Sequence, residues 1–136
     1  GVEPEQMAVV VTSGLDTARR AGERAELRRL HQPLTQRGTI NTAIVTSAQL
    51  EPQAMVEVLA VAVEAKVALL QELAVRSPVS GGLATGTGTD AIAVFSHLDG
   101  QRVRFAGKHT LMGESVARAH ISALRRSLHW SHKAGA

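Results

Sequence analysis

The chain has 136 residues, a formal net charge of +3 and no cysteine, which excludes disulfides, thiolate metal sites and cysteine nucleophiles. Aromatic residues make up only 2%, so the core has to be built from Val, Leu, Ile and Ala, and the stacking platforms of single-stranded nucleic-acid binders are missing. The length suits one domain, and no apolar run reaches the ~20 residues of a membrane helix.

Residues 1–6 are acidic and polar, without the character of a signal peptide, and the expectation is a soluble, cytoplasmic protein. The first residue is Gly rather than Met, as expected where upstream sequence has been lost. Residues 7–11 are short, apolar and β-branched, the pattern of a buried strand, and Thr12-Ser13-Gly14 closes it. Residues 16–30 are rich in Arg and Glu and read as a short helix broken near Gly22 or as an exposed loop. Residues 31–37, with Pro33, read as loop. The arginines of residues 19–37, 102–104 and 118–126 describe a solvated basic surface or one that meets anionic groups, without the clustered stripe of a nucleic-acid binder.

Residues 38–46 form a second strand by their β-branched density. Asn41 is out of place there, and its amide sits either on a solvated face or against a ligand. Glu51-Pro52 opens the next element, because proline suits a first helical turn. Residues 53–75 make the longest predicted helix, about 34 Å at 1.5 Å per residue. Met55, Val58, Leu59, Ala62, Val63, Leu69, Leu70 and Leu73 cover most of its circumference, which predicts a central helix. Lys66 has Ala62, Val63, Leu69 and Leu70 as its i±3 and i±4 neighbours, so its ammonium must snorkel, pair or shift its pKa. Glu64 shares a stripe with Glu57 and Gln71, which is either the wet edge of the helix or part of a site.

Residues 77–82 are rich in chain breakers. They lead into Leu83-Ala84-Thr85-Gly86-Thr87-Gly88-Thr89-Asp90 and the apolar run 91–95. Glycines let backbone N–H groups approach a ligand, and threonines add hydroxyls. The stretch is either a cradle for an oxyanion, phosphate or amide, or a tight loop with no ligand. Residues 101–105 alternate polar and apolar and, across the turn 97–100, predict a β-hairpin with residues 90–95. A second helix is predicted over about 111–130, with Glu114 in its first turns, where the macrodipole favours an acid. Residues 131–136 read as a frayed tail. Residues 7–19 echo residues 91–102, which would fit a two-unit arrangement.

No P-loop and no dinucleotide fingerprint is present, and the strong metal spacings such as His-Glu-x-x-His are missing. A metal site from Asp90, His109 and a glutamate remains an alternative. His109 is the general acid or base near neutral pH, with Asp90 or Glu114 to orient it. Thr85 or Thr87 could act as nucleophile, and the Gly86 and Gly88 N–H groups could hold a developing oxyanion.

Gly38-Thr39-Ile40-Asn41, Glu64-Ala65-Lys66, Ala84-Thr85-Gly86-Thr87-Gly88-Thr89-Asp90 and Ala106-Gly107-Lys108-His109-Thr110 with Gly113-Glu114 stand in order along the chain. Together they resemble the adenosylcobinamide amidohydrolase family (CbiZ), over about residues 8–128. The resemblance implies hydrolysis of the amide that joins aminopropanol to the corrin ring of adenosylcobinamide, giving adenosylcobyric acid for coenzyme B12 salvage. It implies no cofactor beyond the cobalt carried in the corrinoid substrate. The family's N-terminal segment has no counterpart here, so the chain is expected to be an active short form, a hydrolase of another amide, or a folded corrinoid- or anion-binding remnant.

The expected fold is α+β: a single domain over residues 1–136, with a mixed or antiparallel sheet packed against the long helix and the C-terminal helix. In the amidase reading His109, Asp90, Glu64, Lys66 and Thr85 are the catalytic set. His109 is the acid/base, Asp90 and Glu64 orient or activate water, and Lys66 or Lys108 supports the oxyanion. Thr39, Asn41, Gly86, Thr87, Gly88, Lys108 and Glu114 line the substrate. No nucleic acid or membrane partner is expected, and exposed edges of a small sheet suit self-association.

Overall fold

The computed structural model describes residues 6–25 and 38–134. The elements in chain order are β1 (Met7–Ser13), β2 (Ala18–Arg19), β3 (Ile40–Thr46), β4 (Gln49–Leu50), α1 (Pro52–Glu72), β5 (Gly86–Thr87), β6 (Ala91–Ser96), β7 (Arg102–Val103) and α2 (Leu111–Ala134). The fold is α+β. A three-stranded mixed sheet runs β1-β3-β6, with β1 antiparallel and β6 parallel to β3. A parallel neighbour needs a crossover, and α1 supplies it.

Alternation builds the sheet. Ile40, Thr42, Ile44 and Thr46 of β3 are buried on the helix side, while Asn41 and Val45 lie exposed on the other. α2 covers the β1 side and packs on α1, and α1 reaches β6. The core is aliphatic, as the composition requires. One cluster gathers Ile44, Val58, Val61, Met112 and Val116, and a second gathers Ile40, Leu69, Leu70 and Leu124. No described helix is long and apolar enough to cross a membrane.

Several elements differ from the sequence reading. α1 is buried along one side only, since Val56 and Val63 are 66% and 44% exposed. Its apolar circumference does not make it central, because the sheet and α2 together cover only part of it. The described residues of 16–25 hold no helix: turns flank β2, which pairs antiparallel with β5. The reading of residues 26–37 lies outside the described residues.

The hairpin of residues 90–105 does not form. β7 pairs in parallel with β4 instead. The cause is a contact remote in sequence: Gly100 passes so close to the backbone of residues 47–49 that a Cβ would overlap Ser47 O. The chain then crosses the end of β3, and Gln101 O accepts the Gln49 N–H at 2.8 Å. α2 continues through Ala134, past the predicted start of a frayed tail. The echoing blocks become β1 and β6, but β1 pairs antiparallel with β3 whereas β6 makes no such pair with β7, so the two-unit arrangement does not form.

Candidate functional site

The sequence-predicted residues fall into two polar groups and one outlier. The first group forms around Asp90, which ends the Thr/Gly turn just before β6. Its carboxylate accepts four donors. Ile40 N–H (3.1 Å) and the Thr87 hydroxyl (2.5 Å) meet Oδ1, and Thr87 N–H (2.9 Å) and Lys66 Nζ (2.6 Å) meet Oδ2. One side chain therefore ties the start of β3, the strand β5 and the middle of α1. Burial alone would raise the Asp90 pKa, but the Lys66 ammonium and the Thr87 hydroxyl and N–H outweigh it and hold the carboxyl below its ordinary value. Lys66 is 7% exposed, so its ammonium pairs rather than snorkels.

Gly86 makes this contact feasible. A Cβ there would overlap Asp90 Oδ2 and lie 2.9 Å from Lys66 Nζ. The turn's remaining groups are mostly engaged within the protein. Gly88 N–H donates to Thr17 O (3.2 Å), Thr85 N–H to Arg19 O (2.8 Å), and the Thr85 hydroxyl accepts Ala21 N–H (2.9 Å). The Thr39 hydroxyl donates to Thr89 O at 2.8 Å, stapling the turn to β3. Gly88 and Thr89 stay exposed at its tip.

The second group forms where α2 begins. Thr110 caps the helix: its hydroxyl accepts Gly113 N–H (3.1 Å) and donates to Gly107 O (2.7 Å). This fixes the preceding loop, which carries Lys108 and His109, both exposed. Lys108 pairs with Glu64 at 2.5 Å. The His109 ring and the Glu57 carboxylate flank Gly107, whose Cβ would stand 3.3 Å from His109 Nδ1 and 3.5 Å from Glu57 Oε2. Glu57 is further held by the Ala106 N–H at 2.7 Å. Glu114 pairs with Arg118 one turn along α2.

The structure thus joins Lys66, Asp90, Thr87 and Gly86 in one place, and Glu64, Lys108 and His109 in another. At about 100° per residue, Glu64 and Lys66 project ~200° apart from α1, on opposed faces. Asn41 belongs to neither group. It is exposed on the open face of the sheet, opposite Thr12 and Ala91 in register. Among the described residues, no three His, Asp or Glu side chains gather as a metal site would require.

Sequence reasoning missed two residues. Glu57, read only as part of a wet stripe, accepts the Ala106 N–H and lies against Gly107, at the root of the loop that carries His109. His120 is fully buried between the helices and β3, its Nδ1 at 2.9 Å from Ala62 O and its Nε2 at 3.0 Å from Thr42 Oγ1. A carbonyl only accepts, so Nδ1 carries the proton and the Thr42 hydroxyl donates to Nε2. Burial, with a smaller push from Lys66, lowers the His120 pKa against the opposing bond to Ala62. The signal was available: Val116 and Leu124, four residues to either side of His120, are core positions.

Set beside known proteins, this chain falls within one described family. The model of the CbiZ family, described as adenosylcobinamide amidohydrolase, matches residues 1–136, and the chain belongs to that family. An uncharacterised protein of Methanocaldococcus jannaschii is 42% identical over 88 residues, which are 64% of this chain and 34% of that protein. The chain therefore spans about a third of that relative's length. No solved structure matches it significantly.

Proposed function

We propose that the protein hydrolyses the amide between aminopropanol and the corrin ring of adenosylcobinamide, releasing adenosylcobyric acid. The family match over residues 1–136 carries this reading. In it, a water oxygen adds to the amide carbon as His109 takes the water's proton. The C–N bond then breaks, and His109 returns that proton to the departing amine. Lys108, on the same loop and held by Glu64, balances the oxyanion. Asp90 is a positioning residue, since both its oxygens are already engaged; with Lys66 and Gly86 it fixes the shape of the turn at residues 86–90. The cobalt belongs to the substrate.

One observation favours a second reading, a corrinoid- or anion-binding module without turnover: on α1, Lys66, which holds Asp90, and Glu64, which holds Lys108 of the His109 loop, project from opposed faces. Incubation with adenosylcobinamide, followed by mass analysis for adenosylcobyric acid, separates the two. Product formation supports the amidase. Saturable binding with no product at high protein concentration supports the binding module. His109→Ala is expected to lower kcat about 10²- to 10⁴-fold with the melting temperature unchanged, because the side chain is exposed. An unchanged kcat would remove His109 from the mechanism.

A further inference from the structure

β1 lies at the edge of the main sheet, with β3 as its partner there. Ser47 N–H donates to Gln6 O and Gly14 N–H donates to Thr39 O, which fixes the parity of the strand. In an antiparallel pair, opposed residues alternate between exchanging both backbone bonds and exchanging none. Gln6, Ala8, Val10, Thr12 and Gly14 therefore face β3, while Met7, Val9, Val11 and Ser13 turn their N–H and C=O groups outward. The Ser13 carbonyl agrees, since it accepts the Ser131 hydroxyl of α2 at 3.0 Å. The outward groups of Met7, Val9 and Val11 have no hydrogen-bond partner among the described residues.

A groove of about 610 Å³ follows this edge. Residues 9–13 line it consecutively. Side chains alternate between faces along a strand, so a surface that touches five residues in a row tracks the backbone edge. Its far wall is α2, including Arg126 and Trp130, and Trp130 is 75% exposed. A second groove of about 420 Å³ shares Arg126 and Trp130 and adds His129, Lys133 and Arg125, the last already paired with Glu72 of α1 at 2.9 Å. No Asp or Glu lines either one.

We propose that this edge and wall bind an extended acidic segment of another protein, added to the sheet as a fourth strand beside β1. The unpartnered backbone groups supply the main-chain bonds, and the basic wall selects the charge. The added strand would alternate. Side chains on the helix side meet Arg126 and Trp130 and are acidic, and those on the open side lie beside exposed Val10 and are apolar. A second copy of this chain fits poorly. Pairing two β1 edges about a two-fold axis would bring together two α2 helices that both carry Arg126 and Lys133 on the groove wall.

Trp130 is the only tryptophan in the chain, so its emission reports on the groove directly. The probe is a peptide of alternating glutamate and valine matched to the seven residues of β1, with both ends blocked. A saturable shift in Trp130 emission is expected. Arg126→Glu should weaken binding about tenfold or more. Lys133→Glu should weaken it too, so the test stands if one variant folds poorly. N-methylation of alternate peptide bonds should abolish it. The proposal is overturned if a lysine–valine peptide binds equally well, if N-methylation has no effect, or if no saturable shift occurs. It is also overturned if Trp130 emission follows protein concentration alone while sedimentation shows a dimer.

Discussion

At the scale of single residues, Asp90 explains why the Thr/Gly turn has a defined shape. A partly buried carboxylate is best tolerated when its oxygens are satisfied, and here four donors from three elements do so. Lys66→Met keeps the bulk of the side chain but removes the strongest donor, and is expected to destabilise the fold by about 2–3 kcal/mol, below a full buried-pair loss because three donors remain. The pH dependence has a fixed sign. A carboxyl whose folded pKa lies below its unfolded value stabilises the fold above that unfolded value, about 3.8, and the contribution is lost as pH falls through the folded pKa. Without the ammonium the folded pKa rises, so the acid limb of the Lys66→Met profile should begin at higher pH. The gap from the unsubstituted protein should narrow once Asp90 is protonated in both. Urea midpoints measured as a function of pH check this. A constant gap down to strongly acid pH would mean that the pair contributes through packing alone. Lys66 was legible in the sequence as a cation that needed a partner, because its helical neighbours are all apolar. Which carboxylate answers it was not legible, since Asp90 reaches it only through the crossover from α1 to β6.

At the scale of elements, helix ends were easier to read than strand partners. Pro52 marks the start of α1 as the sequence indicates. Its end is a Schellman motif: Val75 N–H bonds Leu70 O and Ala74 N–H bonds Gln71 O, both at 3.0 Å. Ala74 carries the left-handed φ of 52° that this motif demands, a position where glycine avoids the Cβ penalty. Ala74→Gly is therefore expected to stabilise the protein by about 0.5–1 kcal/mol, seen as a raised urea midpoint. Gly113 behaves in the opposite sense. Helix propensity favours alanine by about 1 kcal/mol. A Cβ at Gly113 would overlap Gly107 O and lie 2.7 Å from Ala106 O, and main-chain atoms cannot step aside cheaply. Gly113→Ala should cost about 1–3 kcal/mol and displace the loop that carries His109, lowering thermal stability and any amidase rate together. The β6–β7 hairpin was misread for a related reason. Alternation in residues 101–105 marks a strand but not its partner, and the contact that decides it, Gly100 against the backbone of residues 47–49, is remote in sequence.

At the scale of the whole molecule, the main sheet has helices on one side and an open surface on the other. Apolar alternation made the strands legible, and it also conceals this asymmetry, because both faces of β1 and β6 are apolar. Val10, Val45 and Phe95 lie on the open side at 62%, 45% and 56% exposure, with Ala43 and Ala93 between them. A contiguous apolar patch of this kind is unusual on a protein that works alone. Its contribution to folding should nonetheless be small, since these side chains leave little water on going from unfolded to folded chain. Replacing all three with threonine keeps β-branching at residues 10 and 45, places a β-branched residue at 95, and removes most of the patch. The expected outcome is a change of stability within about 0.5 kcal/mol per site, measured by urea unfolding, together with a clear fall in the fluorescence of a bound hydrophobic dye. A loss of several kcal/mol with dye binding unchanged would instead show that this face is covered when the chain folds, and that the sheet is buried on both sides.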